Sequence, residues 1–174
     1  MIILQSNRLY VRRYTFDDID MFYALNGDPE LMQHIRPIMN YEQSKRFLEE
    51  NIQFYETNPT SGRWALVNKS DHHVVGSLSL LPLANTGDLH IGYVLLKPYW
   101  GMGLAAEIVR AGIEYAFHEL QLKTLTAVTY AENEASQKVL LKNGFSFERA
   151  FSEEGKESRI YRLNRQGSYL NPVS

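Results

Sequence analysis

Hydrophobic residues recur along this chain either at every second position, as in a strand, or at every third or fourth position, as in a helix. The points at which one spacing changes to the other mark the boundaries of the predicted elements. Strict alternation over residues 8–12 is typical of a half-buried strand. Further strands are predicted for residues 64–68, 74–81 and 88–97, where apolar and β-branched residues lie between turn residues. No helical period separates these three strands, so we expect them to pair antiparallel.

Helical spacing of apolar residues predicts four helices, over residues 16–27, 41–55, 104–120 and 134–142. Thr15 and Asn40 are candidate N-caps for the first two helices, because both side chains can accept a hydrogen bond from a free N–H group. Asn143 and Gly144 form a candidate left-handed C-cap for the last helix. Each predicted helix therefore has a recognisable start or end.

The C-terminal third adds a strand and a hairpin. A β-rich run at residues 124–129 follows the third helix, and the order strand, helix, strand implies one parallel step. Residues 145–151 and 158–163 are predicted to form the hairpin. We therefore predict a mixed α/β fold of the α+β type, with a mostly antiparallel central sheet of about six or seven strands and helices on both faces.

Composition narrows the class of protein. A chain of 174 residues with 44% hydrophobic content can bury one substantial core, so a single domain over residues 1–174 is expected. A net charge of −2 argues against nucleic-acid binding by bulk electrostatics. No apolar stretch approaches the roughly 20 residues of a membrane helix, and residues 1–5 lack the pattern of a secretory signal. We expect a cytoplasmic protein with neither nucleic acid nor membrane as partner.

The chain contains no cysteine, which excludes disulfides, cysteine nucleophiles and thiolate metal sites within it. His72 and His73 are adjacent but are interpreted as a turn, because no third ligand lies at a suitable spacing. No metal is expected.

The seam between residues 88–97 and the following helix carries the most informative chemistry. The stretch Tyr99-Trp100-Gly101-Met102-Gly103-Leu104-Ala105 places two glycines there. Glycine lets the backbone turn sharply and leaves main-chain N–H groups uncovered. The first N–H groups of a helix lack internal partners, and the helix dipole favours negative charge at that end. The seam therefore predicts a main-chain cradle for a phosphate-bearing cofactor.

Four blocks of sequence, in order and suitably spaced, resemble the GNAT N-acetyltransferase family, and most closely its branch that acetylates the N-termini of ribosomal proteins. The blocks are residues 8–12 with 16–18, residues 90–93 with 99–107, residues 133–136, and residues 142–145. The resemblance covers almost the whole chain. It implies the GNAT fold and direct transfer of an acetyl group from acetyl-coenzyme A to a primary amine, either a protein N-terminus or a small molecule.

The resemblance also implies how the cofactor is held. Main-chain N–H groups from Gly101 to Ala105 would bind the pyrophosphate, and the exposed strand edge at residues 94–96 would pair with the pantetheine arm. Trp100 stands where the family usually has Gln or Arg, so no side-chain charge is supplied there. The expected cofactor-binding residues are Val94, Leu95, Leu96, Trp100, Gly101, Met102, Gly103, Leu104, Ala105, Asn133, Ser136 and Lys138.

His90 is the predicted general base, because its ordinary pKa lies near neutrality and the related branch often has Glu at this position. Asp88 is expected two residues away on the same strand face. A surface histidine at a strand end is an equal alternative. Tyr93 would hold a water molecule or simply pack.

The predicted acid for the departing thiolate is Ser136, because the helix that follows residues 124–129 lacks the tyrosine that many family members use. Asn133 would reach the pantetheine amides, and Lys138 the ribose phosphate. Asn133 and Ser136 are also residue types that commonly cap helices, and the two roles are compatible. Tyr130 is a secondary candidate, and the segment 36–39, between the first two helices, is a candidate substrate contact.

The function therefore predicted is that of an acetyl-coenzyme A-dependent N-acetyltransferase. An antibiotic or polyamine acetyltransferase is the alternative within this class, and a non-catalytic acyl-coenzyme A sensor is the alternative outside it. A doubly wound nucleotide-binding fold alternates strands with helices, which the strands between residues 64 and 96 contradict. The final strands are a candidate surface for a homodimer.

Overall fold

The computed structural model describes residues 1–166, which build an eight-stranded sheet with helices on both faces. The strands are β1 (Ile2–Gln5), β2 (Leu9–Arg13), β3 (Gly62–Asn68), β4 (Val74–Pro82), β5 (Leu89–Leu95), β6 (Thr124–Tyr130), β7 (Ser146–Glu153) and β8 (Lys156–Asn164). Their order across the sheet is β1-β2-β3-β4-β5-β6-β8-β7. The predicted mixed and mostly antiparallel fold is confirmed.

The helices of the described residues are α1 (Ile19–Asn26), α2 (Pro29–Met32), α3 (Tyr41–Thr57), α4 (Leu104–Glu114) and α5 (Glu134–Lys142). Asn40 caps α3 as predicted, since its side chain accepts the Gln43 N–H at 2.9 Å. Thr15 and Asp18 form a capping box at the 3₁₀ turn before α1. None of these helices combines the length and the apolar content needed to cross a membrane.

The sheet has one strand more than the upper end of the predicted range. β1 is a four-residue edge strand with only Leu4 fully buried, so its sequence carries almost no alternation. The four-residue helix α2 is likewise too short to show a helical period. The helix predicted to reach residue 120 ends at Glu114, because the chain widens into a π turn over Tyr115–Glu119. Short or irregular elements account for these differences.

The two faces of the sheet carry different helices. Helices α4 and α5 cover one face, and the buried side chains there include Leu78, Ile91, Ile108, Leu125 and Leu140. Helices α1 and α3 cover the other face, over a smaller cluster that includes Tyr14, Phe22, Leu48, Ala65 and Val67. Each fully buried aliphatic side chain stabilises the fold by about 1.5–3 kcal/mol.

The sheet opens between β5 and β6, its parallel pair. Their register includes only His90 opposite Thr126 and Ile91 opposite Ala127. Beyond this point β5 runs on beside β4 alone, and the Leu96 N–H donates to the Val75 carbonyl at 2.9 Å. Because main-chain groups alternate in direction along a strand, those of residues 93 and 95 point into the gap. The strand edge that the resemblance implied is thus open.

Candidate active site

A cavity of about 1090 Å³ lies at this gap and reaches both faces of the sheet. One end is bounded by β5, the turn before α4 and the start of α5, and the other end by α1, α2 and the loop that follows them. The predicted site residues that line it are His90, Tyr93, Val94, Leu95, Trp100, Gly101, Gly103, Leu104, Ala105, Asn133, Ser136 and Lys138. The fold therefore brings the catalytic and cofactor-binding candidates into one space.

The turn before α4 forms the predicted cradle. Gly101 has φ +71° and Gly103 has φ +76°, a left-handed conformation that side chains disfavour. Gly103 is the N-cap of α4 and offers no side chain to accept the first N–H groups. Among the bonds of the described residues, none occupies the N–H groups of residues 101–106. This row of donors at a helix N-terminus fits a phosphate group.

Trp100 supports the turn that carries these donors. Its indole N–H donates to the Leu95 carbonyl at 2.8 Å, which ties the turn to the end of β5. The side chain is still 48% exposed. Trp100 therefore supports the cradle through a hydrogen bond to main chain and supplies no charge there.

Leu96 and Met102 are the two predicted cofactor residues that do not line the cavity. Leu96 packs against the small cluster formed by Leu25, Leu31 and Met32. The Met102 side chain is 52% exposed. The predicted contact of Met102 would therefore have to use main-chain groups. The Leu96 N–H donates to the Val75 carbonyl and its carbonyl accepts from the Tyr99 N–H at 3.0 Å, so neither main-chain group of Leu96 is free for the cofactor.

Arg8 borders the cradle and was not among the predicted site residues. Its Nε lies 2.7 Å from the Glu107 carboxylate, in the first turn of α4. The Arg8 N–H and the Ser6 hydroxyl also donate to Glu107, at 2.7 and 2.6 Å. The Arg8 Nη2 atom lies 3.7 Å from the position that a Cβ on Gly103 would occupy. A fixed guanidinium thus stands beside the free N–H groups.

The first turn of α5 is held by its polar residues. The Asn133 side chain accepts the Ser136 N–H at 3.1 Å, so Asn133 is the N-cap of α5. Gln137, which the sequence did not single out, donates to the Ala131 carbonyl at 2.7 Å and accepts from the Tyr161 hydroxyl at 3.1 Å. These bonds fix the far wall of the gap and leave the Asn133 amide group facing the cavity.

Tyr93 and Ser136 meet across the gap, from β5 and α5 respectively. Burial raises the pKa of the Tyr93 phenol above its ordinary value, and the Ser136 hydroxyl against it partly opposes that rise. The phenol therefore stays protonated at neutral pH. Two hydroxyl donors stand together on the side of the sheet that faces the cradle.

His90 lies half-buried in the cavity wall. Burial lowers the pKa of its imidazole below the ordinary value, and the nearby positive charge of Arg63 lowers it further. Asp88 does not orient it: the Asp88 carboxylate accepts from Arg162 at 2.9 Å and from Thr124 at 3.1 Å. His90 is neutral at physiological pH and can accept a proton.

The end of the cavity near α1 and α2 differs in character from the cradle. Arg36, from the predicted substrate segment, and Arg63, on β3, both line it. Tyr130 lines the cavity as well, with the Lys156 ammonium 5.2 Å from its ring centroid. No cluster of metal-ligating side chains is found in the described part of the chain.

Comparison with known proteins places these features in context. A family model described as the acetyltransferase (GNAT) domain matches residues 8–146. The protein YoaA of Bacillus subtilis (strain 168), described as an uncharacterized N-acetyltransferase, is 27% identical to this chain over 149 residues. The aligned region covers 84% of this chain and 84% of YoaA.

Solved structures share the architecture. The acetyltransferase (GNAT family) from Bacillus anthracis has a TM-score of 0.82 and 21% identity, and the match covers 94% of this chain and 98% of that one. RimL, a ribosomal L7/L12 alpha-N-protein acetyltransferase in complex with coenzyme A, has a TM-score of 0.79 and 18% identity over 94% of this chain and 98% of its own. At these identities the likeness establishes a common fold.

Proposed function

This chain belongs to the GNAT acetyltransferase family, and we propose that it transfers an acetyl group from acetyl-coenzyme A directly to a primary amine. The observation that carries this proposal is the gap between β5 and β6, which opens beside the unoccupied N–H groups of residues 101–106. A strand edge and a bare helix start, side by side, suit a ligand that is extended at one end and anionic at the other.

The residues present fit such a cofactor. Its pyrophosphate would accept from the N–H groups between Gly101 and Ala105, with Arg8 beside them. The pantetheine arm would pair with the open edge of β5 and receive a hydrogen bond from the Asn133 amide. Lys138 is exposed at the rim of the cavity, where it suits a further phosphate. These groups supply hydrogen-bond donors for the phosphate and carbonyl oxygens of the cofactor.

The bound cofactor supplies a thioester carbonyl for attack by the amine. An amine attacks only in its neutral form, so a proton acceptor on the acceptor side of the sheet is needed. His90 is neutral and half-buried there. On the other side, the Tyr93 or the Ser136 hydroxyl would donate the proton that the leaving sulfur takes. The chain has no cysteine, so no cysteine in it can carry the acetyl group.

A protein N-terminus is one amine that suits this chemistry. RimL, which shares the fold, is described as an alpha-N-protein acetyltransferase. A free α-amine has a pKa of about 8, so it is partly neutral at physiological pH and needs only a weak base.

The test measures release of free thiol from acetyl-coenzyme A across a panel of N-terminal peptides, amino acids, polyamines and aminoglycosides. We expect turnover with at least one amine class, and a loss of turnover in Tyr93→Phe combined with Ser136→Ala. Calorimetry of coenzyme A binding separates this loss from loss of the cofactor. Tight coenzyme A binding without turnover on any amine would support a sensor instead.

A further inference from the structure

Two guanidinium groups in the acceptor end of the cavity have no carboxylate partner within the described chain. Arg36 lies in the loop between α2 and α3, and Arg63 lies on β3. Both line the cavity. Their Cζ atoms lie 4.9 and 4.7 Å from the centroid of the Phe47 ring. One aromatic side chain thus holds two positive charges at the same wall.

The other half-buried arginines of residues 1–166 are paired. Arg12 contacts Asp18 at 2.7 Å, Arg159 contacts Glu157 at 3.0 Å, and Arg162 contacts Glu148 at 2.6 Å. Partial burial of a guanidinium in this protein is therefore normally accompanied by a carboxylate. Arg36 and Arg63 depart from that pattern, and both do so inside the cavity.

Burial without a partner is unfavourable for a charge. It lowers the pKa of Arg36, and it lowers that of Arg63 to about 10, with the charge of Arg36 contributing to the second shift. Both groups nevertheless remain charged at neutral pH. Contact with the Phe47 ring offsets only part of the cost. An anion that entered between them would replace the hydration that the arginines have lost.

The backbone of Arg63 is firmly held. Its carbonyl accepts hydrogen bonds from Asn51, at 3.0 Å, and from the Tyr55 hydroxyl. Tyr55 is itself 4% exposed and belongs to the main core. A fixed main chain lowers the ordering cost of binding, because only the Arg63 side chain remains to be positioned when a ligand arrives.

Sheet register relates Arg63 to the base. Arg63 is opposite Ser79, Ser79 is opposite Gly92, and His90 is two residues from Gly92 on the same face of β5. Strand spacing puts about 12 Å between the Cα atoms of Arg63 and His90. The side chains of Arg63 and His90 both extend from this face, so their polar groups can lie closer together than the Cα atoms. An amine at His90 and an anion a few bonds away therefore fit one small ligand.

We propose that the acceptor is an amine that also carries a carboxylate, and that Arg36 and Arg63 bind this carboxylate while the amine lies at His90. This inference rests on the proposed acetyl transfer. The planar guanidinium matches the two oxygens of a carboxylate. The carboxylate belongs either to a free amino acid or to an acidic side chain beside a peptide N-terminus.

The same charges disfavour polycationic acceptors. Glu30, the lining carboxylate on α2, is paired with Lys97 at 2.6 Å. The other lining carboxylates, those of Glu132, Glu134 and Glu153, are on exposed residues, whereas Arg36 and Arg63 are half-buried. Repulsion by the two guanidinium groups also favours the neutral form of a nearby amine, which is the reactive form. Polyamines and aminoglycosides bring several charges of the wrong sign.

Matched acceptor pairs test this inference with the intact protein. Each pair presents one amine with and without carboxylates: glutamate against glutamine amide, which lacks both carboxylates of glutamate, and peptides that begin Ser-Asp against peptides that begin Ser-Asn. O-phosphoethanolamine against ethanolamine tests a phosphate in the same role, and spermidine tests a polycation. We expect the carboxylate member of at least one pair to have a kcat/KM at least 10-fold higher, and the pair that responds identifies the source of the carboxylate.

Arg36→Gln and Arg63→Gln should raise KM for the carboxylate acceptor by about 10- to 100-fold and remove the difference within the pair. The control is Arg13→Gln, an exposed arginine that also lies over an aromatic ring, at 5.0 Å from the Tyr55 centroid, but does not line the cavity. Thermal stability distinguishes binding from structure. Removal of an unpaired charge should leave the midpoint of thermal unfolding unchanged or raise it, whereas removal of an arginine with a structural role would lower this midpoint.

A direct binding measurement keeps the result decisive if no acceptor turns over. With coenzyme A bound, N-acetylglutamate should raise the melting temperature of the wild type more than that of Arg63→Gln. N-acetylglutamine amide should have the same effect on the melting temperature of both proteins. Equal shifts for the two compounds, or equal kcat/KM within every pair, would overturn the role of the arginines. Turnover of neutral amines alone would overturn it while leaving acetyl transfer intact.

Discussion

The environment of His90 lowers its pKa, and this makes its proposed role accessible to a pH titration. Arg63 supplies the charge that adds to the effect of burial, and Asp88 is occupied by Arg162. A base must be unprotonated to act, so kcat/KM should rise with pH through an apparent pKa below the ordinary 6.5 of histidine. Above that pKa, any further rise of kcat/KM with pH reflects deprotonation of the acceptor amine.

We expect His90→Gln to lower kcat by about 100-fold and to remove the acidic limb of the pH profile. Arg63→Gln should move this limb toward higher pH, because one nearby positive charge is lost. His73→Gln is the control, since the His73 side chain is 77% exposed in a distant turn. An unchanged limb in His90→Gln would rule out His90 as the base.

Arg8 permits a second prediction for a single residue. Arg8→Gln should weaken coenzyme A binding about 3- to 10-fold, because a charge-assisted bond to phosphate is lost at an exposed position. Its affinity should also fall less steeply with salt than that of the wild type. Arg149→Gln, another exposed arginine, should bind coenzyme A normally in the same calorimetric titration. Equal affinities for Arg8→Gln and wild type would remove Arg8 from the site.

The sequence could identify residues whose chemistry is local, and it missed those whose roles depend on distant partners. The glycines of the cradle and the cap at Asn133 follow from their immediate neighbours. Arg8 gains its place through Glu107, 99 residues away. Asp88 was expected beside His90, but Arg162, 74 residues away, engages its carboxylate. Contacts of this length depend on topology, which local pattern does not encode.

At the level of elements, the glycine turn can be tested against a turn of similar geometry elsewhere. Gly101 has φ +71° and Gly155, between β7 and β8, has φ +78°. A Cβ at either position meets nothing within 4 Å. Alanine should therefore cost about 1–2 kcal/mol of stability at both, from the left-handed backbone alone.

Only Gly101→Ala should also impair the cofactor site. We expect its dissociation constant for coenzyme A to rise about 10-fold or more, because relaxation of the strained turn redirects the N–H groups. Gly155→Ala should bind coenzyme A as tightly as the wild type does, although its melting temperature falls as much as that of Gly101→Ala. If both variants bind alike, the turn before α4 does not hold the phosphates.

The boundaries of elements were predictable where a cap or a long period defines them. Asn40 and Gly144 mark the start of α3 and the end of α5 as expected, and Gly144 has φ +88°. The end of α4 was not predictable, because the π turn keeps helical spacing of apolar residues while its hydrogen bonds change. The narrow register of β5 with β6 was implied only by the family resemblance.

For the molecule as a whole, the gap in the sheet couples cofactor binding to stability. β1 to β5 and β6 to β8 meet at a short parallel register. A ligand that bridges the gap should stabilise the folded state by about 2.7 kcal/mol at 100 times its dissociation constant. For a chain of this size that corresponds to a rise of about 5–10 °C in melting temperature.

Scanning calorimetry with and without coenzyme A measures this rise, and hydrogen exchange locates it. The amides of residues 93 and 95, which point into the gap, should exchange more slowly when coenzyme A is bound. Amides of α3, none of whose residues line the cavity, serve as the internal reference and should not respond. Uniform slowing over the whole sheet would indicate general stabilisation without pairing at the open edge.

The cradle before α4 offers N–H groups and no side chain, and this determines which mutagenesis can detect it. Alanine scanning truncates side chains and leaves every amide in place, so a scan across Met102 and Leu104 would report packing effects and pass over the N–H groups of the site. Proline is the natural residue that lacks the amide hydrogen. A binding site of this kind is therefore best mapped by deleting backbone donors one at a time.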